Sequence, residues 1–140
     1  MVDEAKTFPG KKILVVDDDR DILEALQTAL AGLGVEVFTA SDGELALTQA
    51  EAHKPDLVVL DMMLPKRSGF LVMERLRRGK KKSEPPRIIM VTGNQGHRHK
   101  TFAQTMGADD YMNKPFRMEK LLASVTKILS AAQAGPETPA

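Results

Sequence analysis

Short runs of β-branched and aliphatic residues recur along the chain, each followed by apolar residues at helical spacing. This alternation constrains the fold more than any other feature. Ile13-Leu14-Val15-Val16, Val35-Glu36-Val37-Phe38-Thr39, Leu57-Val58-Val59-Leu60 and Ile88-Ile89-Met90-Val91 read as strands. The first, third and fourth are apolar without interruption, as expected for strands covered on both faces. Ala108 to Asn113 reads as a short fifth strand. Ile22, Leu23, Leu26, Leu30 and Leu33 mark a first helix stopped by Gly34. Leu45, Ala46, Gln49, Ala50 and His53 share the face of a second, started by Ser41-Asp42-Gly43 and ended by Pro55. Phe70, Met73, Glu74 and Leu76 mark a third that stops at Gly79. Gly96 to Met106 is a weakly amphipathic fourth segment, and Leu121, Leu122, Val125, Ile128 and Leu129 form the clearest stripe of all.

Five βα units in strict alternation predict an α/β protein with a parallel sheet. They are too few for a closed eight-fold barrel, and right-handed crossovers leave the open, doubly wound sheet as the expected fold. The length, 140 residues, predicts one domain with its own core. Residues 11–130 are expected to form it. Residues 1–10, ending in Pro9-Gly10, and the small, Pro-containing residues 131–140 read as flexible tails, the latter also as a linker. No apolar run approaches the ~18 residues of a membrane span. The acidic start, Met-Val-Asp-Glu, does not resemble a secretion signal. Cysteine is absent, which excludes a disulfide framework, thiol catalysis and Cys-ligated metal, and fits a cytoplasmic protein. With 20 basic and 19 acidic residues, the net charge of +1 gives no global pull toward nucleic acid or an anionic membrane. Neither is expected as a direct partner.

In open α/β sheets, ligands bind outside the carboxyl ends of the strands. The residues there are Asp17-Asp18-Asp19 after the first strand, Asp61 after the third, Thr92-Gly93-Asn94 after the fourth and Asn113-Lys114-Pro115-Phe116 after the fifth. Each has an ordinary reading by itself. The aspartates at 17–19 would cap a helix, Asp61 would open the turn before Pro65, Thr92-Gly93 is turn chemistry, and Lys114 would be a solvated lysine. Together, if strands one, three, four and five are neighbours, they converge. Two like charges about 4 Å apart repel by roughly 4 kcal/mol at an effective dielectric of about 20, so converging carboxylates need a proton, a cation or a divalent metal. Oxygen ligands alone select a hard ion, Mg2+ before Ca2+. A metal, a lysine, a hydroxyl and a carboxylate are the components of phosphoryl transfer, and a carboxylate can itself be the nucleophile.

That order of motifs resembles the receiver domain of bacterial two-component response regulators. The segments carrying the resemblance are Ile13 to Asp19, Leu57 to Pro65, Ile89 to Gly93 and Gly107 to Phe116, within a match over roughly residues 11–130. It implies a flavodoxin-like fold with strand order 2-1-3-4-5. It implies Asp61 as phosphoacceptor and Asp17 and Asp18 as the acidic pair holding Mg2+, Asp18 the more direct ligand. The backbone carbonyl of Met63 completes that set. Thr92 is implied as the hydrogen-bond donor to the phosphoryl group, Lys114 as its counter-charge and Tyr111 as an aromatic switch. The donor would be a phosphohistidine of a sensor kinase or histidine phosphotransfer protein, or a small acyl phosphate. The output would be a changed surface on the fourth helical segment, fifth strand and last helix. That surface would bind an effector protein, act on an output domain beyond this chain, or pair in a homodimer.

Such a protein is a switch rather than a turnover enzyme. A Mg2+-dependent phosphatase using Asp61 is the second class, but Met63 stands where its leaving-group acid is expected. A phosphorylation-independent docking module is the third, against which the complete Asp17, Asp18, Asp61, Thr92 and Lys114 set argues. No Gly-rich loop follows the first strand to cradle a dinucleotide. An apolar Met63 also suggests slow dephosphorylation.

Arg75, Arg77, Arg78, Lys80, Lys81 and Lys82 place six basic residues in eight positions. They read as a solvated loop and helix end, where cations are favourable, or as a contact for nucleic acid or an acidic partner. The His97-Arg98-His99-Lys100 stretch reads as a polar, partner-facing surface.

Overall fold

The computed structural model describes residues 7–93, 101 and 103–134, with side chains to residue 131. The strands are β1 (Lys12–Val16), β2 (Glu36–Ala40), β3 (Leu57–Asp61), β4 (Arg87–Thr92) and β5 (Asp110–Asn113). The helices are α1 (Arg20–Ala31), α2 (Gly43–His53), α3 (Gly69–Arg77) and a last helix (Met118–Ala134). Residues 101 and 103–105 are also helical, while 94–100 and 102, including His97, His99 and Asn94, lie outside the described residues. All strand pairs are parallel, in the order β2-β1-β3-β4-β5, which is the expected doubly wound, flavodoxin-like sheet.

Successive strand residues point to opposite faces, and here both faces are covered. Ile13, Val15, Leu57, Val59, Ile89 and Val91 meet Leu26 and Leu30 of α1 and Leu121, Val125 and Leu129 of the last helix. Their chain neighbours Leu14, Val16, Val58, Leu60, Ile88 and Met90 meet Ala46 and Ala50 of α2 and Val72 and Met73 of α3. This two-sided burial explains why the central strands read as unbroken apolar runs.

The helices start where oxygen-bearing side chains satisfy free backbone N–H groups. Asp19 caps α1, accepting from Asp21 N–H at 2.9 Å. Asp42 caps α2 through Leu45 N–H at 2.8 Å, and Ser68 caps α3 through Leu71 N–H at 3.3 Å. The first helix ends at Ala31, short of Leu33. The ends of the domain are more ordered than their composition suggests. Phe8, in the expected N-terminal tail, is 1% exposed and donates its N–H to the carbonyl of Leu33. The last helix runs to Ala134, inside the segment expected to be tail or linker. No described helix is long and apolar enough to cross a membrane.

Candidate phosphoryl-transfer site

Strand register brings the sequence candidates to one sheet edge. Val16 lies beside Leu60, Asp61 beside Val91, and Thr92 beside Asn113, so the residues that follow β1 and β5 flank the ends of β3 and β4. Asp17 and Asp61 are each 3% exposed, and Thr92 is fully buried at the end of β4. Lys114 Nζ reaches between the carboxylates, 2.8 Å from Asp17 Oδ2 and 3.2 Å from Asp61 Oδ2. The other oxygens are held by the backbone. Asp17 Oδ1 accepts from Asp19 N–H at 2.9 Å, and Asp61 Oδ1 accepts from Met63 N–H at 3.0 Å.

Asp17, Asp18 and Asp61 each offer a carboxylate oxygen within 4.8 Å of the others, with Asp18 exposed. Burial pushes the Asp61 carboxyl above the usual carboxylate range. The Met63 N–H opposes that shift, the charge of Asp17 adds to it, and Lys114 opposes it. Burial draws the Lys114 ammonium down, but its bond to Asp17 and the charges of both carboxylates outweigh this, leaving it above the ordinary lysine range. One lysine therefore does not neutralise the cluster. The donor set is oxygen only, so a hard divalent cation fits both its chemistry and its unrelieved charge.

Tyr111 is 9% exposed, buried in the same cluster as Leu60 and Met90, and burial raises its phenol above the ordinary range. The Met63 side chain is 61% exposed beside the site. Asp17, Asp18, Asp61, Thr92 and Lys114 are thus gathered at one edge, with Tyr111 one strand away.

The sequence did not reveal how the loop between β3 and α3 is supported. Gly69 N–H donates to the Met62 carbonyl at 2.8 Å, and a Cβ on Gly69 would stand 2.3 Å from the Asp61 carbonyl oxygen. The α3 backbone therefore lies directly against the backbone of the candidate nucleophile. Its only trace in the sequence is a glycine at the first helical position behind a capping serine.

An open parallel sheet carrying buried carboxylates, a lysine and a hydroxyl at its carboxyl edge is an α/β module whose groups are those suited to phosphoryl transfer. The sequence profile of the response regulator receiver domain matches residues 13–126. The chain belongs to that family, the receiver modules of two-component signalling. It is 46% identical over 124 residues to the alkaline phosphatase synthesis transcriptional regulatory protein PhoP of Bacillus subtilis, covering 89% of this chain and 50% of that protein. The chain spans about half the length of the curated relatives it matches. Among solved structures, a CheY-like receiver domain protein from Methanospirillum hungatei superimposes with TM-score 0.80 at 30% identity, over 88% of this chain and 96% of the other. The BeF3-activated receiver domain of Klebsiella pneumoniae RstA does so with TM-score 0.77 at 28% identity, over 85% and 98%.

Proposed function

We propose that Asp61 is the phosphoacceptor of a switch charged by a phosphohistidine of a sensor kinase or histidine phosphotransfer protein, or by a small acyl phosphate. The observation that carries this reading is the buried Asp61 carboxylate, paired with Lys114 at 3.2 Å and clustered with two further carboxylates at ligand spacing. An Asp61 Oδ attacks the phosphorus. The phosphorus–nitrogen bond breaks, its electron pair returns to the imidazole, and the product is an aspartyl phosphate; water later cleaves it. Asp17, Asp18 and Asp61, with the backbone carbonyl of Met63, would hold Mg2+, which when bound neutralises charge on the cluster and on the transferring phosphoryl group. Lys114 moves from bridging two carboxylates to pairing with the phosphoryl oxygens. The Thr92 hydroxyl donates to them, and the buried Tyr111 ring transmits the change to the surface of the fourth helical segment, β5 and the last helix.

This is a switch, cytoplasmic and without turnover of a separate substrate, formed by residues 11–130 together with the buried Phe8 and the end of the last helix at Ala134. Its output is an effector protein, an attached output domain or a homodimer through the β5 face. The Bacillus subtilis relative is named as a transcriptional regulatory protein, and this chain aligns with half of it; no direct contact with nucleic acid is proposed for this chain.

The test is intact-mass spectrometry after incubation with acetyl phosphate, with and without Mg2+, on wild type and Asp61→Asn. One phosphoryl group gained only with Mg2+ and lost in Asp61→Asn is expected. No gain in wild type, with no spectroscopic response to beryllofluoride and Mg2+, overturns the reading.

A further inference from the structure

The six basic residues between Arg75 and Lys82 sit at the sheet edge opposite Asp61, and the structure divides them. Arg77 is internal to the fold: its guanidinium donates to the carbonyls of Lys81, Glu84 and Pro86, holding the loop into β4. Arg78 pairs with Glu74 one turn back. Arg75, Lys80, Lys81 and Lys82 make no ion pair with any described residue. Cations are favourable near the negative end of α3, which accounts for Arg75. Lys80, Lys81 and Lys82 lie beyond that helix and are exposed.

A cleft of about 320 Å³ opens beside them, between α2, α3 and the loop into β4. Its floor is apolar, including Leu47, Leu76 and Pro85. Its rim carries Lys54, Arg75 and Lys80, against a single acid, Glu51. Lys54 reaches this rim from the left-handed residue that closes α2. Lys80 also lines a second, polar cleft of about 560 Å³ with Lys82, so the basic surface continues past the groove.

We propose that this groove is a docking site for an acidic peptide segment of a partner protein, with one aliphatic side chain seated between α2 and α3 and flanking carboxylates on Lys54, Arg75 and Lys80. Charge complementarity selects the acidic partner, and the apolar floor selects a peptide over a bare polyanion. Single-stranded nucleic acid fits less well, because among the described residues no aromatic side chain lines either cleft to stack a base. A membrane surface fits less well because the exposed large apolar side chains among the described residues, Leu45, Met63 and Leu71, stand at or near the opposite sheet edge. Since the groove lies across the sheet from Asp61, docking is independent of phosphorylation. It would hold the switch beside a partner while the β5 face reports its state.

The test is selection of random displayed peptides on the full chain, with counter-selection on Lys54→Glu/Arg75→Glu/Lys80→Glu. Enriched peptides should carry two or more acids around an aliphatic residue. Synthetic copies should bind the wild type at least tenfold more tightly than the triple variant, weaken as salt rises, and bind equally with and without beryllofluoride. The variant should melt as a single transition and still take up phosphoryl group from acetyl phosphate, which separates lost docking from misfolding. Absence of acidic enrichment, or equal binding to the variant, overturns the proposal. So does tighter, variant-sensitive binding of single-stranded oligonucleotide or phosphatidylserine vesicles run in parallel.

Discussion

Gly69→Ala separates two effects of opposite sign. Glycine at a helical position is less favourable than alanine by roughly 0.5–1 kcal/mol, so local propensity alone predicts stabilisation. The tertiary structure predicts the reverse. The added Cβ would lie 2.3 Å from the Asp61 carbonyl oxygen and 2.6 Å from Met62 Cα, where ordinary contact begins near 3.4 Å. These are backbone atoms, so no side chain can rotate away, and the α3 start must separate from the β3 end by about 1 Å. Overpacking of this kind costs about 1–3 kcal/mol, and lengthening the 2.8 Å Gly69–Met62 bond adds up to about 1 kcal/mol. The clash therefore wins, and a net loss of about 1–3 kcal/mol is expected by urea unfolding. The displacement falls on the residue proposed to attack phosphorus, where a misplacement of about 1 Å can slow chemistry by about a hundredfold. The rate of phosphoryl uptake from acetyl phosphate should fall accordingly. Gly32→Ala is the control. Gly32 has φ −64° and only the Ala29 carbonyl near its added Cβ, at 3.4 Å, so it should be neutral or stabilising. A Gly69→Ala protein as stable as wild type, with an unchanged rate of uptake, would refute the reasoning.

Lys114→Met leaves Asp17 and Asp61 buried without their shared cation. It should destabilise the protein by about 3 kcal/mol in Mg2+-free buffer, and added Mg2+ should recover a larger part of stability than in wild type, as read by thermal melts. Asp61 titrates above 3.8, so the folded state binds its proton more readily than the unfolded state does. The ionised carboxylate lowers stability above the raised pKa, and that penalty fades as pH falls through it toward 4. Without Mg2+, Asp61→Asn should therefore be more stable than wild type at pH 7, with the difference shrinking toward pH 4 in denaturant titrations. Arg77→Lys keeps the charge but loses the planar fork that serves three carbonyls. It should cost about 1–2 kcal/mol and speed amide exchange in residues 79–86 without changing phosphoryl uptake.

The strands were legible because burial on both faces leaves β-branched runs with no polar interruption, and the helix starts because Asp19, Asp42 and Ser68 are good caps. Their limits were less legible, because strand ends are set by the partner's backbone. Glu36 enters β2 by donating to the Lys11 carbonyl, Ala40 remains in it by accepting from Asp17 N–H, and Arg87 begins β4 on the Asp56 carbonyl. Periodicity carries no record of those bonds. Strand order likewise came from resemblance and was then found in the pairing. The candidate carboxylates, hydroxyl and lysine could be located because each lies at or just past the carboxyl end of a strand. Gly69 and Arg77 could not be, since a glycine after a cap and an arginine at a helix end are ordinary locally. Their importance depends on what the chain brings against them, eight residues back from Gly69 and up to nine residues on from Arg77.

Burial of Asp61 at 3% exposure is unfavourable in the resting state, yet it supplies the energy the proposed switch needs. Lys114 is shared almost evenly, 2.8 Å from Asp17 and 3.2 Å from Asp61, so a modest added field can redirect it. At about 3 Å, one extra negative charge attracts the ammonium by roughly 5 kcal/mol at an effective dielectric of about 20, but by little over 1 kcal/mol in bulk water. Inverting a two-state population from about 1:99 to 99:1 takes about 5.5 kcal/mol of preference for one state. A phosphoryl group added to an exposed carboxylate would thus shift such an equilibrium only slightly, whereas one added at this buried edge can nearly invert it. The same low dielectric that raises the Asp61 pKa makes its phosphorylation consequential. The Gly69 contact matters because it keeps the carboxylate where that dielectric is low.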